Sequence, residues 1–244
     1  MPITSYDDGG THDVTSASGP VEVSGGTTVN FNGTFAVTGE DADVAAGGSA
    51  VPGIASVGSA LNFNTTGDSG ISLYGGNDTD PAGSMGSAAP GLLSYRDTLD
   101  ASDLTCSGGD GQWEGAAGAH VVQPAGFAID LFQAYGGDAT TGHGGAGLWL
   151  YLTGTDALTL GFGAVTLQGG TGPLGAGPSL IFEGTGSAQL VIGLQSITLS
   201  GDVVLCLYDS ASFVVNGSGL SWSGGDLTEF GQTGTLTGHI GSGV

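Results

Sequence analysis

A chain of 244 residues with 51 glycines, one Lys/Arg residue and 23 acids carries a formal net charge of −22. Such a surface cannot neutralise phosphates, which excludes nucleic-acid or anionic-membrane binding through a basic patch. A mean hydropathy of +0.21 lies above that of disordered chains, and glycine follows no three-residue period, which excludes collagen.

The opening MPITSYDDGG has neither a basic nor an apolar segment, so no cleaved signal is expected. Short alternating runs follow: VEVSGG, TVNFNG and TFAVTG over 21–39, echoed by ALNFNTTGDSGISLYGG at 60–76. Each places apolar side chains on one face with period two, the pattern of a half-buried strand. Loops rich in Gly, Ala, Ser and Pro occupy 45–59 and 77–91. Residues 92–104, LLSYRDTLDASDL, lack glycine, and their spacing is compatible with a short helix. One strand, FAIDLF, stands among glycine-rich loops over 105–146.

Regular repetition begins near residue 140. Segments 147–169, 179–201 and 202–224 are each 23 residues long and align position by position, with GTGPLGAGP (170–178) inserted after the first. Each holds three apolar runs separated by Gly, Ser, Thr, Asn or Asp. Three strands in a repeating unit predict an all-β fold, a parallel β-helix. The alternative, a β-sandwich, has no reason to repeat in threes. The chain thus divides into a glycine-rich β region, 1–140, whose strands are earlier coils or a separate unit, and a β-solenoid, 141–244, ending in a degenerate cap.

Alignment assigns faces. Inward rows are Leu148/Leu180/Val203, Leu150/Phe182/Leu205 and Leu152/Gly184/Leu207 on the first strand. On the second they are Leu158/Leu190/Phe213 and Leu160/Ile192/Val215, and on the third Val165/Ile197/Leu220 and Leu167/Leu199/Trp222. The third strand's outward rows are Ser, Thr, Gln, Ala and Gly, an ordinary wet face. The outward rows of the first two include Trp149, Tyr151, Ile181, Val204, Val191 and Val214. Stacked apolar rows call for a cover, either the N-terminal half or further copies of the chain in a homotrimer.

Chemistry is sparse. Cys106 and Cys206 read as two separate thiols. GDSG at 67–70 occurs around the nucleophile of chymotrypsin-like proteases, but Ile71-Ser72 departs from that pattern and His12 lacks the family context. His12, His120, His143 and His239 show no metal-ligand spacing. The acidic loops EDAD (40–43) and NDTDPAG (77–83) read as solvated turns, with calcium as the weaker alternative. Glu183 and Asp130 have no mate for glycosidic chemistry, and Arg96 lies outside the repeats. No catalytic residue and no cofactor are expected.

The repeats over 147–224, with their apolar outer rows, resemble in style the trimeric β-solenoid structural proteins of tailed-virus particles. That resemblance implies a non-enzymatic virion component: a capsid decoration, spike or fibre. Its partners would be copies of itself, other virion proteins and a host glycan, with neither nucleic acid nor membrane. The runner-up is a secreted bacterial surface-layer protein or adhesin at the cell surface.

Overall fold

A computed structural model describes residues 3–42, 49–65, 70–79, 88–154, 157–209, 211–216, 220–223, 227–230 and 235–237. The protein is all-β, with no helix among the described residues, and every strand pairing is parallel. One sheet has nine strands, in the order Thr4–Tyr6, Val21–Val23, Ile54–Val57, Leu92–Tyr95, Ala119–Val122, Leu148–Leu152, Leu180–Gly184, Val203–Leu207 and Leu227–Phe230. The other has twelve. Its main path runs Thr11–Val14, Thr28–Asn32, Ala60–Asn64, Thr98–Ser107, Gly126–Tyr135, Ala157–Gln168, Gln189–Ser200, Ser212–Asn216 and Thr235–Thr237. Ala36–Thr38, Ile71–Tyr74 and Leu220–Ser223 pair beside that path. The chain visits the two sheets in turn, and the strand order continues across residue 140 without a break.

The registers read from the repeats recur in the pairings. Leu148 pairs with Leu180 and Leu180 with Val203; Leu158 pairs with Leu190 and Leu190 with Phe213. Alternation produces the core directly. In 148–152, 180–184 and 203–207 buried residues alternate with half-buried ones. Phe31, Phe63, Phe132 and Phe182 are among the largest fully buried side chains, with Phe31 and Phe63 stacked 5.0 Å apart.

The loop expected over 45–59 contains the strand Ile54–Val57, and 105–146 contains Ala119–Val122 as well as FAIDLF. Two further expectations fail. The 92–104 segment is not helical: it forms the strands Leu92–Tyr95 and Thr98–Ser107, joined by a turn in which Arg96 takes a φ of 59°. Leu92, Ser94, Asp97, Leu99 and Ala101 are buried at strand spacing on either side of that turn. Second, the later two runs of a repeat are one unbroken strand in Ala157–Gln168 and in Gln189–Ser200, separating only at Ser212–Asn216 and Leu220–Ser223.

The insert at 170–178 also has company. Segments 108–118 and 136–147, and the described residues of 39–53 and 75–91, likewise lie between a strand of the twelve-strand sheet and the next strand of the nine-strand sheet. Their outgoing and returning arms lie against each other as a flange. A single zigzag of backbone hydrogen bonds runs through it. Successive N–H groups of Val51, Gly76, Ala89, Gly109, Ala116, Gly137, Gly145, Gly170 and Gly177 donate to the carbonyls of Glu40, Val51, Gly76, Ala89, Gly109, Ala116, Gly137, Gly145 and Gly170. These bonds are 2.8–3.0 Å long. Such an approach leaves no room for side chains between the arms, and this accounts for much of the glycine.

Candidate interaction surfaces

The six outward residues singled out from the sequence occupy two places. Trp149, Tyr151, Ile181 and Val204 lie on the nine-strand sheet, and Val191 and Val214 pair with each other on the twelve-strand sheet. All six are half-buried. Parallel register turns the first group into columns. Leu93, His120, Trp149, Ile181 and Val204 follow one another through five layers, and Tyr95, Val122, Tyr151, Glu183 and Cys206 form the neighbouring column. Repeat alignment missed Leu93 and His120, because the earlier layers differ in length from the 23-residue unit.

Local contacts link neighbouring residues of this face. The His120 and Trp149 rings stack at 4.7 Å with 16° between their planes, and the Trp149 indole N–H donates to Glu183 Oε1 at 3.1 Å. Glu183 is thereby tied down within the column. Burial lowers the pKa of His120 below the usual imidazole value. Burial raises the pKa of the Cys206 thiol, and the neighbouring Glu183 charge adds to the rise. At the edge of the face, a cavity of about 300 Å³ is bounded by Ala88, Pro90, Glu114, Ala116, His120 and Trp149.

The twelve-strand sheet presents polar ladders instead. Asn62 Nδ2 donates to Asn30 Oδ1 at 2.8 Å, and Asn30 Nδ2 donates to Asp13 Oδ1 at 2.9 Å. A second ladder climbs the outgoing arms of the flange. Asp41 Oδ1 accepts the Asn77 N–H, Asn77 Oδ1 the Asp110 N–H, Asp110 Oδ1 the Asp138 N–H, and Asp138 Oδ1 the Thr171 N–H, at 2.6–2.8 Å. The signal in the sequence is Gly-Gly followed by Asn, Asp or Thr, at 75–77, 108–110, 136–138 and 169–171.

The remaining candidates are dispersed. His12 meets Asp8 at 2.8 Å near the N-terminus, and His143 pairs with Glu114 and Gly175 in the flange. His239, residues 67–69 of GDSG, Asp43 of the first acidic loop and 80–83 of the second lie outside the described residues. Among the described residues no three His, Cys, Asp or Glu side chains converge as a metal site. Cys106 is fully buried in the twelve-strand sheet, Cys206 faces outward from the other, and both are thiols. Arg96 donates from Nε to Gln123 Oε1 at 3.0 Å and lies 5.0 Å from the Tyr95 ring centroid. Comparison of the chain with family models, with curated proteins and with solved structures returned no match.

Proposed function

We propose that this chain is a non-enzymatic β-solenoid that assembles with copies of itself, as a homotrimer, into a structural element of a virus particle such as a capsid decoration, spike or fibre. Support for the solenoid comes from the parallel pairing throughout, the alternation between two sheets and the ladders of like residues in successive layers. The observation that carries self-assembly is the composition of the nine-strand face. In a chain with 23 acids, the five layers from Leu93 to Val204 and from Tyr95 to Cys206 contain one acid, Glu183, and it is bonded to Trp149; the next acid in these columns, Glu22, lies two layers before Leu93.

A copy of a strongly acidic chain approaches its neighbour most easily across a surface without net repulsion. Parallel sheets, moreover, are normally covered on both faces, and the outer residues of these columns are only half-buried among the described residues. The virion setting rests on the stylistic resemblance of 147–224.

Sedimentation equilibrium tests the assembly. The chain is expected to sediment as a trimer, and Ile181→Asp, which places a charge between Trp149 and Val204, to shift it to monomer. A monomeric wild-type chain, or a trimer indifferent to Ile181→Asp, would overturn the reading.

A further inference from the structure

A second surface has a different chemistry. Where the twelve-strand sheet passes into the flange, a cleft of about 410 Å³ spans three layers. Thr38 and Tyr74 line it from the sheet, and Glu40, Asp41, Asn77 and Asp110 from the outgoing arms. It shares no residue with the apolar columns, so binding there does not depend on assembly of copies of the chain.

Tyr74 is 43% exposed. Its neighbours in the same outward column are Thr38 and Ser107, both short, so neither stacks a ring upon it. Among the described residues its hydroxyl has no protein partner. This separates Tyr74 from Trp149, whose ring is stacked against His120 and whose N–H is occupied.

The polar wall is set in advance. Asp41 and Asn77 are each held at one atom, Oδ1, by the N–H of the next layer at 2.7 Å, and Asp110 is held the same way at 2.8 Å. What remains to each is one further group: Asp41 Oδ2, Asn77 Nδ2 and Asp110 Oδ2, none with a protein partner among the described residues. The cleft thus carries an acceptor, a donor and an acceptor on successive layers, spaced about 4.8 Å apart by the strand pairing. Little conformational entropy remains to be lost when a ligand engages side chains already fixed.

We propose that this cleft binds a neutral oligosaccharide. The Tyr74 ring supplies an apolar platform for one sugar face, and Asp41, Asn77 and Asp110 hydrogen-bond hydroxyls along the chain of sugars. A polyhydroxylated, extended ligand offers both donors and acceptors at repeated intervals, which such a wall can use. The carboxylates of Asp41 and Asp110, which line the cleft, select against an anionic ligand. Uronates and sulfated sugars would meet repulsion there.

Isothermal titration with cellohexaose, maltohexaose, mannohexaose and chitohexaose as neutral probes, beside polygalacturonate and pentalysine, tests the assignment. At least one neutral hexasaccharide is expected to bind with Kd between about 10 μM and 10 mM. Tyr74→Ala should weaken that binding about tenfold or more, a loss of about 1.4 kcal/mol. Asn77→Asp keeps the acceptor for the Asp110 N–H but removes the Nδ2 donor. It should also weaken binding, while the urea midpoint of both variants stays near that of the wild type. The proposal is overturned if no hexasaccharide binds, if polygalacturonate binds as well as the best neutral probe, or if pentalysine is the preferred ligand. Binding insensitive to Tyr74→Ala would overturn it too.

Discussion

Replacing Gly137 with alanine drives a methyl group against the outgoing arm of the preceding layer of the flange. The new Cβ would lie 2.6 Å from the Gly109 carbonyl carbon, closer still to its oxygen, and 3.0 Å from the Gly108 oxygen. These are backbone atoms, so no side chain can swing aside. Overpacking of this kind costs about 1–3 kcal/mol. If the arms separate to relieve it, the bonds from Gly137 N–H to Ala116 and from Gly145 N–H to Gly137, both 2.8 Å, are stretched. Each such bond contributes about 0.5–1.5 kcal/mol. Alanine also lowers the entropy of the unfolded chain, which offsets about 0.4–1 kcal/mol. The net expectation is a loss of about 2–4 kcal/mol, read from urea unfolding as a lower midpoint at unchanged slope. Gly126→Ala is the control, because its Cβ meets only the end of the Thr98 side chain, at 3.3 Å. It should change stability by less than about 0.5 kcal/mol. Equal effects at the two positions would refute the close-packed flange.

Asp97 tests the interior. It is fully buried, and its carboxylate accepts the Ser59 N–H at 2.8 Å, the Ser94 hydroxyl at 2.7 Å and the Tyr95 N–H at 3.2 Å. Burial nevertheless outweighs those bonds and raises its pKa above the ordinary aspartate value of 3.8. The folded state therefore binds this proton more tightly than the unfolded one. Its stabilising contribution is complete below 3.8 and is lost as pH rises through the folded value. The wild-type minus Asp97→Asn difference in urea midpoint should fall with pH across that window, and a rising difference would contradict the assignment. Cys206 reports on the outer face. A bulky maleimide should label it slowly in the assembled protein and faster in Ile181→Asp, while buried Cys106 stays unlabelled in both; equal Cys206 rates would place it outside any seam.

Much of the strand register was legible because period-two alternation is written within each strand. Leu148, Leu180 and Val203 could be aligned from spacing alone, and they pair as aligned. The stretch 92–104 lacks glycine and yet forms two strands and a turn. Arg96 supplies the turn there, adopting the left-handed conformation that Gly58 adopts in the preceding layer. The flange was overlooked because its segments differ in length, so only the one at 170–178, between two matching repeats, stood out. The ladder Asp41–Asn77–Asp110–Asp138 remained hidden for the same reason, with intervals of 36, 33 and 28 residues between its members.

By itself, then, the sequence determined which side chains of a strand face inward, since each strand's alternation is local and needs no knowledge of its neighbours. Which residues meet across layers was decided only by the tertiary structure. The loop between two layers can lengthen in the flange without disturbing the sheets, so contacts such as Tyr74 beside Thr38 and His120 on Trp149 have no fixed separation along the chain.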